Sequence, residues 1–171
     1  MIATTAIEAQ ASIPGQVVID TSAWIEYFTN SDLGRQIKSI LPPLERCIVP
    51  TIVQFELTKW ALRELHPEEH GHLDASMDTC PVDRLDVSTA RLAASVHATY
   101  KLATADALIY ATAQKFGADV ITCDAHFKDL PAVKFFPKGS KAGSSLPEPR
   151  TLVHWKRWLL PDPFKRDVLC A

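Results

Sequence analysis

The feature that most constrains this chain is a repeated pairing of a short apolar run with the immediate start of an amphipathic helix. Residues 16–20 (QVVID) lead into a helical pattern over 23–28, with Thr21 and Ser22 as capping types between them. Residues 47–50 (CIVP) lead, through Thr51 as a cap, into a helix reaching about Leu65, whose apolar face is Val53, Leu57, Trp60, Ala61 and Leu65. Further strands are expected at 82–87, 120–123 and 133–136. Further helices are expected from Ser31 or Asp32 to the Pro42–Pro43 pair, from Ser88 through Leu92, Val96 and Tyr100, and from near Thr104 to Gly117. Between them, residues 66–79 contain Pro67 and Gly71 and read as a loop or broken helix. Short buried strands alternating with helices specify an α/β fold with a mainly parallel central sheet.

At 171 residues the chain is long enough for one core of ordinary size, and a net charge of −2 excludes a bulk-basic nucleic-acid binder. Any contact with RNA must therefore be local. The four cysteines, Cys47, Cys80, Cys123 and Cys170, have neither finger nor redox spacing, which fits a reducing compartment. Residues 1–16 make a poor signal peptide and no apolar run is long enough to span a membrane, so the expected location is cytoplasmic. The expected organisation is an N-terminal arm (1–15), an α/β domain (16–137), and a linker followed by a basic, Trp-containing tail (138–171). In the tail, Arg150, Lys156, Arg157, Lys165 and Arg166 accompany Trp155 and Trp158, a composition suited to RNA. The preferred reading is a helix that docks through Leu152, Trp155, Trp158 and Leu159.

Four acids fall where this pattern brings strand ends and helix starts together. Asp20 and Asp124 each end an expected strand, Asp106 stands in a first helical turn, and Glu56 borders the apolar face of its helix. In open parallel sheets, ligand sites form beyond the carboxyl ends of the strands. Taken singly, each acid has a plainer reading: a cap at Asp20, a dipole partner at Asp106, a turn at Asp124, a solvated helix position at Glu56. Together they are costly without a counter-charge, because crowded carboxylates raise one another's pKa. A divalent cation removes that cost, and hard oxygen ligands favour Mg2+ or Mn2+. Hydrolysis of a phosphodiester by metal-activated water is the reaction such a site serves best.

The segments VIDTSAWIEYF around Asp20, QFELTKWALRE around Glu56, and ATADALIYATAQKFGADVITCDAHF through Asp106 and Asp124 resemble the PIN-domain family, in particular its VapC-type toxins. The resemblance spans residues 16–136. It implies a three-layer α/β/α fold, Mg2+- or Mn2+-dependent endoribonuclease activity, homodimerisation and inhibition by a cognate antitoxin. It carries Asp20, Glu56, Asp106 and Asp124 over as catalytic, metal-site acids. Thr21 and Ser22 match the hydroxyl positions after the first acid, and Thr122 matches the hydroxyl two residues before the fourth. A buried strand Thr that satisfies a backbone group is an equal reading of Thr122.

Arg35, Lys38, Lys59 and Lys101 are candidate phosphate contacts near the acids, although surface charge is the ordinary reading of each. The run HPEEHGHL offers His66, Glu68, Glu69, His70 and His72, which Pro67 and Gly71 disqualify as a helical zinc face. Two other functions compete. A haloacid-dehalogenase-like phosphatase would use Asp20 as nucleophile, but Ser22 stands where that family expects a second Asp. A non-catalytic RNA- or protein-binding module of the same fold would have no need of all four acids.

Overall fold

The computed structural model describes residues 15–138. The expected N-terminal arm up to residue 14, the expected linker and tail from residue 139 with the docking helix read there, and Cys170 lie outside the described residues. Five parallel strands form one sheet in the order β3-β2-β1-β4-β5. They are β1 (Val17–Ile19), β2 (Cys47–Pro50), β3 (Val82–Asp83), β4 (Asp119–Thr122) and β5 (Val133–Phe135). Six α-helices connect them: α1 (Thr21–Phe28) and α2 (Asp32–Ile40), then α3 (Thr51–Glu64) and α4 (His70–Thr79), then α5 (Val87–Tyr100) and α6 (Thr104–Phe116). The steps β1 to β2 and β2 to β3 run one way along the sheet and β3 to β4 returns. With right-handed crossovers, α1–α4 cover one face and α5–α6 the other, a three-layer α/β/α fold. The return makes the β1–β4 pair the point where strand order reverses.

β1, β2 and most of β4 are buried, and Ile19, Ile48, Val49, Val120 and Ile121 are sealed from solvent. Trp24 of α1, Ile37 of α2, Leu57 of α3, Ile109 of α6 and Phe127 complete the core. Each such side chain stabilises the fold by about 1.5–3 kcal/mol relative to leaving it exposed. Among the described residues, no helix is long and apolar enough to cross a membrane.

Several expected boundaries move. Thr21 and Ser22 do not cap α1; Asp20 does, accepting from Ser22 N at 3.2 Å, so the two hydroxyl residues form the helix's first turn. Ser31 caps α2. Thr51 opens α3 behind Pro50, and Asp86 rather than Ser88 caps α5, so Val87 belongs to the helix instead of extending β3. The largest correction is at 66–79, which holds a 3₁₀ turn (Pro67–Glu69) and then α4. Pro67 occupies a first-turn position, where its missing N–H costs nothing. Glu69 accepts from His66 N at 2.9 Å, and Leu73 and Met77 bury the helix's inner face, outweighing Gly71. Asp83 at the end of β3 is buried and accepts from Lys115 Nζ of α6 at 2.8 Å, tying that helix to the edge of the sheet.

A candidate active site at the β1–β4 edge

The register of the two central strands builds the site. Val17, Val18 and Ile19 pair with Asp119, Val120 and Ile121, so Asp20 leaves the sheet beside Thr122. Asp20 N still donates to Ile121 O at 2.9 Å, and its carbonyl starts α1 by accepting from Ala23 N and Trp24 N. Its carboxylate is therefore fixed at the carboxyl end of the sheet. Oδ2 accepts from Ser22 N, from Ser22 Oγ and from Thr122 Oγ1, the last at 2.9 Å. Among the described residues, no donor is recorded on Oδ1.

Thr122 and Ser22 tie the two strand ends together. Thr122 Oγ1 accepts from Asp124 N at 2.9 Å while donating to Asp20. Ser22 Oγ accepts from Cys123 N at 2.9 Å. Asp124 then turns the chain, accepting from His126 N at 2.9 Å. Glu56 reaches the same place from α3, where Thr21 Oγ1 donates to its Oε2 at 2.5 Å. Asp106 stands in the first turn of α6.

All four acids line one cleft of about 340 Å³, together with Thr21, Ser22, Ile25, Lys59, Trp60, Arg63 and Lys138. Crowding shows in the electrostatics. Burial pushes the Asp106 carboxyl up to about 6, helped by Asp124, Asp20 and Glu56 and opposed by His126. Asp20 is also raised, chiefly by burial, against the hydrogen bonds from Ser22 and Thr122. His126 Nδ1 lies 3.1 Å from Asp124 Oδ1 and 3.7 Å from Asp106 Oδ2. One ligand atom from each of these three residues falls within 4.8 Å of the others.

Of the expected phosphate contacts, Lys59 lines the cleft and the other three do not. Arg35 is held by Asp32 and by Asn30 O, Lys38 by Asn30 Oδ1 over the Tyr27 ring, and Lys101 by Ala98 O. Arg63, Lys138 and His126 were not singled out from the sequence. Arg63 follows Lys59 by one helical turn, a spacing that could have found it; for Lys138 and His126, which arrive on connecting segments, no sequence signal exists. Of the histidine run, His70 Nε2 sits 3.2 Å from Ala61 O. Among the described residues, the His/Cys/Asp/Glu cluster that could hold an ion is Asp106, Asp124 and His126.

A PIN-domain family model matches residues 17–133. Solved structures are similar too. A toxin–antitoxin complex from Klebsiella pneumoniae aligns at 22% identity and TM-score 0.64, over 72% of this chain and all (100%) of that one. A DNA-bound VapBC from Salmonella typhimurium aligns at 18% identity and TM-score 0.57, over 71% and 97%. The sarcin–ricin-loop-cleaving toxin VapC20 of Mycobacterium tuberculosis aligns at 17% identity and TM-score 0.58, over 71% and 100%. No curated protein matches by sequence.

Proposed function

The chain belongs to the PIN-domain family, and from that premise we propose that the acid cleft is the active site of a divalent-metal-dependent endoribonuclease, the toxin of a toxin–antitoxin pair. One observation carries the reading: four carboxylates from separate elements share a cleft in which two of them are held above their ordinary pKa. That arrangement is unfavourable as it stands and becomes favourable around a cation.

The donors fit Mg2+ or Mn2+. They are hard carboxylate oxygens, and Asp20 is clamped through Oδ2 alone, which leaves Oδ1 available. Asp20, Asp106 and Asp124 would hold the metal, with Glu56 beside them. When bound, the metal supplies Lewis-acid polarisation of the phosphoryl group and acidifies water. The chain's own residues do the rest. Ser22 and Thr122 hold Asp20 in orientation, and Thr21 holds Glu56. Lys59, Arg63 and Lys138 bring positive charge to an otherwise anionic cleft, where an RNA phosphate must approach. The toxin role, the cognate antitoxin and a homodimeric state follow the named relatives and the family resemblance. An RNA substrate and an antitoxin partner imply action in the cytoplasm.

Replacing Asp20 with Asn keeps the shape and removes the charge. The full-length protein should lose RNA cleavage and growth inhibition together, and a chelator should stop cleavage by the unaltered chain. Cleavage by Asp20→Asn at the wild-type rate would overturn the assignment of the site.

A further inference from the structure

Two thiols lie toward the amino end of the sheet, opposite the acids, and neither lines the cleft. Cys47 opens β2, and Cys80 stands between α4 and β3. β2 and β3 are parallel neighbours, with Val49 paired to Val82 and Pro50 to Asp83. Two residues back along each chain, the same register sets Cys47 opposite Cys80. Both have extended backbones (φ −95°, ψ 99° at Cys47; φ −83°, ψ 141° at Cys80). Paired residues of a ladder point to one face, because side chains alternate with period two. Tyr27 of α1 senses that shared face: burial raises its phenol, and Cys47 and Cys80 both add to the rise. Neighbouring strands stand about 4.8 Å apart, within the roughly 4.4–6.8 Å between Cα atoms that a disulfide spans. Both thiols are free and buried. Cys47 Sγ donates to Pro42 O and Pro43 O at 3.8 and 3.7 Å, and Cys80 Sγ to Ser76 O at 3.3 Å. A thiol is a weak donor, so these bonds yield to a rotation that turns the sulfurs toward each other. Spacing in the sequence hides the pair, which only strand order assembles.

We infer that Cys47 and Cys80 form a redox modification site, closing to a cross-strand disulfide by exchange with a small-molecule disulfide such as oxidised glutathione. The Cys80 thiolate attacks one sulfur of the small disulfide, whose S–S bond breaks and releases one small thiolate. The Cys47 thiolate then attacks the Cys80 sulfur of the mixed disulfide and releases the second. The two cysteine protons end on the two small thiols, and the two electrons lost by the protein reduce the small disulfide. Cys80 is the attacking group on two grounds. Burial raises it to about 11 and Cys47 to about 12. Cys80 also adjoins a strand of 2 residues at the sheet edge, where local opening costs least. A glutathione pool kept reduced leaves both thiols as they are, so the bridge marks an oxidising shift. Once formed, it closes a loop holding all of α3 and α4, which restricts the unfolded chain and stabilises the fold. The inference stands independently of the ribonuclease reading.

The test uses the full-length chain carrying Cys170→Ser, which removes the thiol outside the described residues. The protein is refolded from urea in buffers of increasing oxidised glutathione, so that both thiols are accessible before the sheet closes. Remaining thiols are then alkylated, and the digest is read by mass spectrometry without reductant. A peptide linking Cys47 to Cys80 should accumulate while Cys123 stays alkylated. The bridged protein should melt about 5–10 °C above the reduced one, and a reductant should abolish both the peptide and the shift. Adding Cys80→Ala should remove both as well. The peptide and its reversal stand without that variant, should it fold poorly. Glutathione adducts at single cysteines without the linked peptide overturn the inference, and so does a bond from either thiol to Cys123. A bridged protein that melts below the reduced one overturns it too, because the register would then not fit a disulfide.

Discussion

Thr122 is the residue on which most of the site's geometry turns. Its hydroxyl is fully buried, donates to Asp20 Oδ2 and accepts from Asp124 N, both at 2.9 Å. Thr122→Val keeps the shape and deletes both bonds. It leaves the Asp124 N–H without its partner, which should cost about 1–3 kcal/mol of stability in a denaturant melt. Cleavage should fall roughly 10- to 100-fold, as when a group that orients a metal ligand is lost. A variant that is destabilised but fully active would make Thr122 a structural residue only. Asp20, Thr21, Thr122 and Asp124 were legible in the sequence because each sits at a strand end or within two residues of one, where chain direction dictates side-chain position; Glu56 and Asp106 were legible from their place early in a helix. Arg35, Lys38 and Lys101 do not line the cleft, because a sequence shows a charge and hides its neighbours, and here Asp32, Asn30 and Ala98 supply their partners. His126 and Lys138 were invisible for the converse reason, since connecting segments carry them in.

Two glycines give opposite tests of how the elements are placed. Gly34 of α2 lies against α1 so closely that a Cβ would fall 1.9 Å from Glu26 O. A helix carbonyl cannot yield, so Gly34→Ala should push the two helices apart and cost about 1–3 kcal/mol. Because α1 carries Thr21 and Ser22, cleavage should decline with it. Gly71 of α4 has nothing within 4 Å of the same added atom. Gly71→Ala should instead stabilise by about 0.5–1 kcal/mol through helix propensity, with cleavage unchanged. Thermal melts of the two variants should move in opposite directions; a shared sign would mean that the packing of α2 on α1 is looser than described. The same pair explains what the sequence concealed. Gly71 and Pro67 look like helix breakers, yet Pro67 starts a turn and the burial of Leu73 and Met77 carries the helix through. Helix α6 was legible almost to the residue because Gly117 adopts the left-handed conformation (φ 60°) that its position at a helix end suggests.

At the scale of the whole molecule, strand order decides where the acids meet, and strand order is what periodicity cannot supply. Alternation of strands and helices was enough for an α/β fold. Only the pairing of β1 with β4, across the reversal in the sheet, brings Asp20 to Asp124. This convergence opposes stability in the absence of metal, and the sign follows from linkage. An Asp106 carboxyl raised from 3.8 to about 6 holds its proton longer in the folded chain than in the unfolded one. Between those values the folded state binds more protons, so stability falls as pH rises through the window. Burial raises Asp20 in the same sense. The metal-free protein should therefore melt at a lower temperature at pH 7 than at pH 5. Mg2+ should raise the melting temperature more at pH 7, where the carboxylates are ionised, than at pH 5. Asp106→Asn removes one of the two raised carboxyls behind the trend. That variant should be more stable than the unaltered chain in chelator at pH 7, should gain less from Mg2+, and should not cleave RNA. Melts at the two pH values, with chelator and with Mg2+, read every part of this expectation. An Asp106→Asn protein less stable than its parent in chelator would show that the cleft is not electrostatically strained, and the case for a cation there would fall with it.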